Sequence, residues 1–160
     1  FNPNLNGNIR AGASFSTTDQ AIGDSDNTSP YFQSGLEYNP SARTSINGTL
    51  GYSVQFSENS VYNSQNQLSA AIGLRHDLTA KISIASSLRY VYSDYDTDYS
   101  RVGGLSGSAE DNYYVYSIRG SYQINRMNFV DAGYQYSDRD SDDFGDYNRN
   151  RVDIGWRLRL

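Results

Sequence analysis

The sequence predicts an all-β fold: an antiparallel up-and-down transmembrane β-barrel, eight strands in this chain, forming a single domain over 1–160. Three observations carry that reading. Apolar residues recur with period two over segments close to the ten or so residues that a tilted strand needs to cross a bilayer. Short and long connections alternate along the chain, and aromatic rings gather at the ends of each apolar stretch around an aliphatic middle.

The first segment, 5 to 16, places Leu5, Ile9, Ala11, Ala13 and Phe15 on one parity, which only a β-strand turns into one face. The second, 31 to 39, does so with Phe32, Leu36 and Tyr38, and the third, 44 to 57, with Ile46, Leu50, Tyr52, Val54 and Phe56. The fourth, 67 to 77, aligns Leu68, Ala70, Ile72 and Leu74; the fifth, 81 to 93, aligns Ile82, Ile84, Leu88, Tyr90 and Tyr92. Tyr114, Tyr116, Ile118 and Tyr122 mark the sixth, 113 to 124, and Val130, Ala132, Tyr134 and Tyr136 the seventh, 127 to 137. The eighth, 149 to 160, alternates Val152, Ile154, Trp156, Leu158 and Leu160 with Arg151, Asp153, Gly155, Arg157 and Arg159. No segment sustains a helical period.

The connections 38 to 44, 76 to 82 and 122 to 128 are short, each placing a ring, then polar or turn residues, then a base before the next strand: Arg43, Lys81 and Arg126. The others are longer, acidic and rich in Gly, Ser and Asp, so one end of the sheet carries turns and the other loops. Phe15, Phe32, Phe56, Tyr90, Tyr92, Tyr114, Tyr116, Tyr134 and Tyr136 lie toward the loop ends, Tyr38 and Tyr122 mark the turn ends, and Trp156 joins them in the expected lipid-interface girdle. Rings around an aliphatic middle suit a surface that meets lipid, because Tyr and Trp keep an apolar body with a polar tip among head groups. A soluble lipocalin-like barrel with inverted faces fits the alternation too; the girdle and the segment lengths favour lipid.

The opposite parity holds Arg10, Glu37, Arg75, Asp77, Arg89, Arg119, Asp131, Arg151, Asp153, Arg157 and Arg159 among Ser, Asn, Gln and Gly. That is too much charge for a dry core. Of these, Arg10, Glu37, Arg75, Arg89, Arg119, Asp131, Asp153 and Arg157 are the expected lumen lining. In an eight-strand barrel they would pair into a plug; in a wider one their basic excess would line water and favour anions or acidic sugars. An even strand count returns the chain to the turn side, and the last strand is expected to pair with the first, since lipid tolerates no open edge. Without an initiator Met or a leader pattern, the chain reads as processed or trimmed, and "FNPNLNGNI" echoes "YNPSARTSING" as the end of a strand before a short turn.

Other classes are disfavoured. With no Cys and one His there is no thiolate site or His-rich metal centre, and no cofactor is expected. A net charge of -5 argues against nucleic acid. No stretch approaches the apolar length of a transmembrane helix, and low mean hydropathy is uninformative for barrels. Asp138, Asp140 and Asp142 alternate as in a calcium loop, but Gly145 comes late and Arg149 stands where a bidentate Glu belongs, leaving a solvated loop. Asp94, Asp96 and Asp98 read the same way, His76 reads as an interfacial ring, and "RVGGLSGS" lacks the Lys and helix of a phosphate loop. No triad spacing supports an outer-membrane hydrolase, so no enzyme and no catalytic residue is expected.

The stretch "YQYSDRDSDDFGDYNRNRVDIGWRLRL" (134 to 160) resembles the closing hairpin of the family named Putative β-barrel porin family 2, outer-membrane proteins often associated with exopolysaccharide loci. The resemblance rests on Tyr-x-Tyr-Ser, the Arg-Asp-Ser segment, Asp-Tyr, and Asn-Arg-Val running into the alternating end. Members are typically larger, so the chain reads either as a self-closing barrel or as the C-terminal part of a wider one. The resemblance implies a bacterial outer-membrane location, with the termini expected in the periplasm. A porin-like or exopolysaccharide-export-associated channel with an Arg-rich lumen is the expected function; the alternative is a non-conducting eight-strand scaffold or surface-binding protein with acidic loops. Expected partners are outer-membrane lipid and lipopolysaccharide, the barrel-insertion machinery, and glycan or small anionic solute as cargo.

Overall fold

The computed structural model describes residues 4–18, 25–56, 64–96, 108–142 and 145–159, and all its regular structure is strand. The strands are β1 (Leu5–Thr18), β2 (Ser25–Ser41), β3 (Thr44–Phe56), β4 (Ser64–Asp77), β5 (Ile82–Asp96), β6 (Ser108–Gln123), β7 (Asn128–Ser141) and β8 (Tyr147–Leu158). They form one antiparallel sheet in sequence order, each strand pairing only with its chain neighbours. β1 and β8 are the two edges and are not hydrogen-bonded to each other, so the closing pair expected between last and first strands is not made among the described residues.

Each short turn is held by one side chain acting on the backbone. Thr79 Oγ1 accepts the N–H groups of Lys81 and Ile82, at 3.2 and 3.0 Å. Asn125 Oδ1 accepts those of Met127 and Asn128, at 3.0 and 2.9 Å, while Ser41 Oγ accepts the Arg43 N–H at 3.3 Å beside the bulge between Tyr38 and Ser41. Short polar side chains that substitute for a ladder bond are what make these sequences turns.

At the other end the strands outrun the alternating segments. β2 begins at Ser25 rather than 31, β6 at Ser108 rather than 113, and β7 continues to Ser141 rather than 137. Residues 25–30, 108–112 and 138–141, expected as loop, are therefore strand. Both parities are polar there, which erases the period-two signal, yet backbone pairing continues. Beside the end of β7, Ser141 N–H donates to Asp146 Oδ1 at 2.9 Å, Glu110 N–H to Asp142 Oδ2 at 3.1 Å, and Gly145 takes φ +78°. A positive φ is the conformation that glycine accepts without cost.

The register divides the sheet into two faces. One row runs Leu5, Tyr38, Ile46, Leu74, Ser86, Ile118, Tyr134, Val152. The row Arg75, Ala85, Arg119, Gly133, Asp153 belongs to the other face. On the apolar face Ile9, Phe15 and Ile154 are 78, 80 and 79% exposed, which is untenable in water at this scale and natural against lipid.

The apolar belt also slants across the strands. Tyr38 on β2 shares a row with Ile118 on β6, but the turn-side ring of β6 is Tyr122, four positions farther along after four strand steps. At the loop side, Tyr136 on β7 shares a row with Leu36, four positions from Phe32, after five steps. A drift of about one residue per strand, at about 3.3 Å rise and 4.8 Å spacing, corresponds to a strand tilt of about 35°, the range of outer-membrane barrels. The slant explains why Asp138 and Asn148, on the apolar parity and in the row of Ile9, are polar: that row has left the membrane by β7.

Depth can therefore be tested at fixed parity. Ile72→Arg, at mid-belt, is expected to destabilise the folded chain in lipid vesicles by about 2–4 kcal/mol, whereas Asn148→Arg should cost less than about 1 kcal/mol. Urea unfolding from vesicles measures both; equal costs would disprove the slanted belt.

Candidate functional site

The candidate site is the polar face, whose charges the pairing brings together in the second half of the chain. Arg119 on β6 and Asp153 on β8 lie in one row with Gly133 of β7 between them, and Arg119 Nη2 reaches Asp153 Oδ2 at 3.2 Å. A Cβ at Gly133 would stand 2.9 Å from Asp153 Oδ1 and 3.0 Å from its Oδ2. The missing side chain is thus what lets an ion pair span three strands. Arg157 bridges to Asp131 at 3.4 Å and stacks over the Phe129 ring, 4.8 Å from its centroid. Arg75 and Asp77 pair along β4 at 3.7 Å.

Side chains lie flat over glycine elsewhere on this face. Asn47 covers Gly73, with Oδ1 2.5 Å from where a Cβ would be, and the Tyr31 ring covers Gly12. Glu37 pairs with Asn47 across the β2–β3 ladder and takes a hydrogen bond from Asn39 at 3.0 Å. Arg10 and Arg89 share this face by register. All eight residues expected to line a lumen therefore occupy one face, and Arg119, Asp131, Asp153 and Arg157 form one cluster on it.

At the turn end this face hollows into a cavity of about 720 Å³, lined by Arg43, Arg75, Asp77, Lys81, Arg157 and Arg159 among others. Five bases against one acid make this end electropositive. The paired arginines remain accessible: the side chains of Arg75, Arg119 and Arg157 are 68, 61 and 60% exposed.

One pair was not read from the sequence. Arg139 grips Asp111 at two points, Nε to Oδ1 at 2.8 Å and Nη2 to Oδ2 at 2.6 Å, with Asp111 buried. Both residues fall where alternation fades. The signal that could have found them is parity, since Arg139 continues the polar positions Asp131, Gly133, Gln135 and Ser137. A bidentate carboxylate pair fixes orientation as well as charge.

The expected girdle residues Phe15, Phe32, Tyr38, Tyr90, Tyr92, Tyr114, Tyr116, Tyr122, Tyr134, Tyr136 and Trp156 share the apolar parity in the observed register; the Phe56 side chain lies outside the described residues. Three of their polar tips have partners: Tyr90 donates to Asn112 at 2.8 Å, Tyr134 to Asn150 at 2.6 Å and Trp156 Nε1 to Asn128 at 3.1 Å. Tyr90 also stacks on Tyr114, centroids 4.7 Å apart. His76 Nδ1 lies 2.9 Å from Thr44 Oγ1 at the turn end of the same face.

Comparison with known proteins matches all of residues 1–160 to the family model described as Putative beta-barrel porin 2. Among solved structures, in-vitro folded OmpT, an outer membrane protein of Vibrio cholerae, is similar with a TM-score of 0.61 at 13% identity, covering 98% of this chain and 52% of that one. OmpTΔL8, the loop L8 deletion mutant of OmpT, gives 0.60 at 15% identity, covering 97% and 49%. This chain thus spans about half the length of the structures it matches, and at these identities the likeness carries the fold. A search of curated proteins gives no match.

The two kinds of ion pair should differ in energetic weight. Asp111→Asn leaves a largely shielded guanidinium without its counter-charge and is expected to cost about 1–3 kcal/mol. Arg157→Gln removes an exposed pair and should cost less than about 1 kcal/mol. Denaturant midpoints of the folded chain in detergent would decide, and an equal loss for both would contradict the assignment of the Asp111 pair as the structural one.

Proposed function

This chain belongs to the Putative beta-barrel porin 2 family, and we propose that its polar face lines the water-filled lumen of an outer-membrane channel that admits anionic solutes or glycan. The fold is that of an outer-membrane β-barrel, which gives the strands their two solvents. The observation that carries the channel reading is the basic excess gathered on one face, where Arg10, Arg75, Arg89, Arg119 and Arg157 stand with only Glu37, Asp131 and Asp153 against them. A dry plug needs those groups packed and desolvated.

The open edges of β1 and β8 and the half-length match to OmpT support a wider cylinder, of which these eight strands are one arc, completed by strands added at both edges. Lipid would otherwise meet unpaired backbone groups. Along the arc Arg10, Arg75, Arg89, Arg119 and Arg157 outnumber Glu37, Asp131 and Asp153, and Arg43, Lys81 and Arg159 add to the turn-side mouth. Such a lining concentrates anions. In this reading the short turns and both chain ends face the periplasm, and association with exopolysaccharide export follows from the kind of cargo an arginine-lined lumen would pass. Passage rather than catalysis is the role proposed.

Planar-bilayer recording tests this. The reconstituted chain should conduct with a preference for anions, and combined Arg75→Gln, Arg119→Gln and Arg157→Gln should shift the reversal potential toward cation preference. A folded preparation that passes no current would overturn the channel and favour the non-conducting scaffold.

A further inference from the structure

Toward the loop end, β8 presents Tyr147, Arg149 and Arg151 successively on the polar face. In register with them stand Arg139, Ser137 and Gln135 on β7, then Tyr113, Val115 and Ser117 on β6. Ser137 is buried, and its small side chain leaves a depression of about 70 Å³ lined by Tyr113, Gln135, Ser137, Tyr147, Arg149 and Arg151. Tyr147 is exposed and half accessible.

The charge at this place is unbalanced in one direction. The carboxylates that flank it are already engaged, Asp111 by Arg139 at two points and Asp153 by Arg119. Among the described residues Arg149 and Arg151 make no ion pair. Two guanidinium groups on alternate residues of one strand, about 6.6 Å apart at their roots, can both close on a single carboxylate. The Gln135 carboxamide, the Ser137 hydroxyl and the two phenols provide donors and acceptors together, which a bare anion does not need and a polyol does. Tyr113 and Tyr147 stand two strands apart, about 9.6 Å, with the neutralised Arg139 pair between them as a floor. The depression is too small to enclose a sugar, so a pyranose would lie over it with its C–H surface against a tyrosine face.

From this juxtaposition we infer that the Tyr113, Gln135, Ser137, Tyr147, Arg149 and Arg151 cluster is a binding subsite for an acidic saccharide, a uronate residue whose carboxylate is held by Arg149 and Arg151 and whose ring lies against Tyr147. The inference rests on the polar face being the lumen face and adds to it a cargo of defined chemistry. The subsite lies on the loop side of the Arg119–Asp153 pair, where an entering or leaving chain meets the channel wall.

The test is calorimetric titration of the folded chain in detergent with tetragalacturonate, maltotetraose and sodium acetate, folding being verified by heat-dependent gel migration. Tetragalacturonate should bind at least about tenfold more tightly than either maltotetraose or acetate, and Arg149→Gln and Arg151→Gln should each weaken it about tenfold, the scale of one charge-assisted hydrogen bond. Tyr147→Phe should retain binding and Tyr147→Leu should weaken it. Equal binding of maltotetraose removes the role of the carboxylate, equal competition by acetate reduces the place to a simple anion site, and indifference to all four substitutions moves the ligand elsewhere; each outcome overturns the assignment. Conductance on the same preparation separates the two readings: current without uronate binding defeats the subsite alone, and uronate binding without current defeats the channel alone.

Discussion

In hydrocarbon no water is present to satisfy a peptide group, so every N–H and C=O within the membrane must find a partner in the chain itself. The rest of this structure follows from that obligation. It forces neighbouring strands into continuous antiparallel ladders, broken among the described residues by the bulge between Tyr38 and Ser41, and it makes the unpaired edges of β1 and β8 the two places where the described chain leaves the obligation unmet. A ladder alternates its side chains, so once register is set, two different solvents can be assigned to two parities without any further choice. Ile9 and Ile154 meet lipid while Arg10 and Arg157 meet water because they differ in parity, not because they occupy different regions of the sheet.

The polar face solves a second problem, that of keeping charge in place without filling space. Its pairs use glycine as clearance: Gly133 lets Arg119 reach past β7 to Asp153, and Gly73 lets Asn47 lie flat. The pairs remain exposed, so each is weak in energy, yet a carboxylate beside every second or third arginine limits the repulsion that a run of bases would produce. The Arg139–Asp111 pair is of another kind, shielded and held at two points, and it stands where the sheet passes out of the apolar belt.

The alternation itself was legible in the sequence, because lipid contact demands apolar residues at every second position and little else about a strand matters there. Strand ends were not. Ser25–Pro30, Ser108–Asn112 and Asp138–Ser141 continue the ladders beyond the belt, where neither parity need be apolar and the period vanishes. The membership of the polar face was legible for the same reason as the apolar one, but its pairings were not, since whether Arg119 meets Asp153 depends on a register summed over two hairpins. Asp111 and Arg139 escaped notice because both fall in stretches whose composition signals loop. At the end of β7 the carboxylates of Asp142 and Asp146 accept the backbone N–H groups of Glu110 and Ser141, a pairing that sequence spacing does not announce.

The slant of one residue per strand rearranges the charges when the sheet is viewed along the membrane normal. In flat register, Arg10 on β1 lies well above Arg157 on β8; with the drift removed, Arg10, Glu37, Arg75, Arg119, Asp131, Asp153 and Arg157 settle within roughly 10 Å of one depth, toward the turn-side girdle, where Glu37 adjoins Tyr38 and Arg157 adjoins Trp156. What looks like a scattered diagonal on the sheet is one band of mixed charge that follows the plane of the membrane rather than the rows of the ladder.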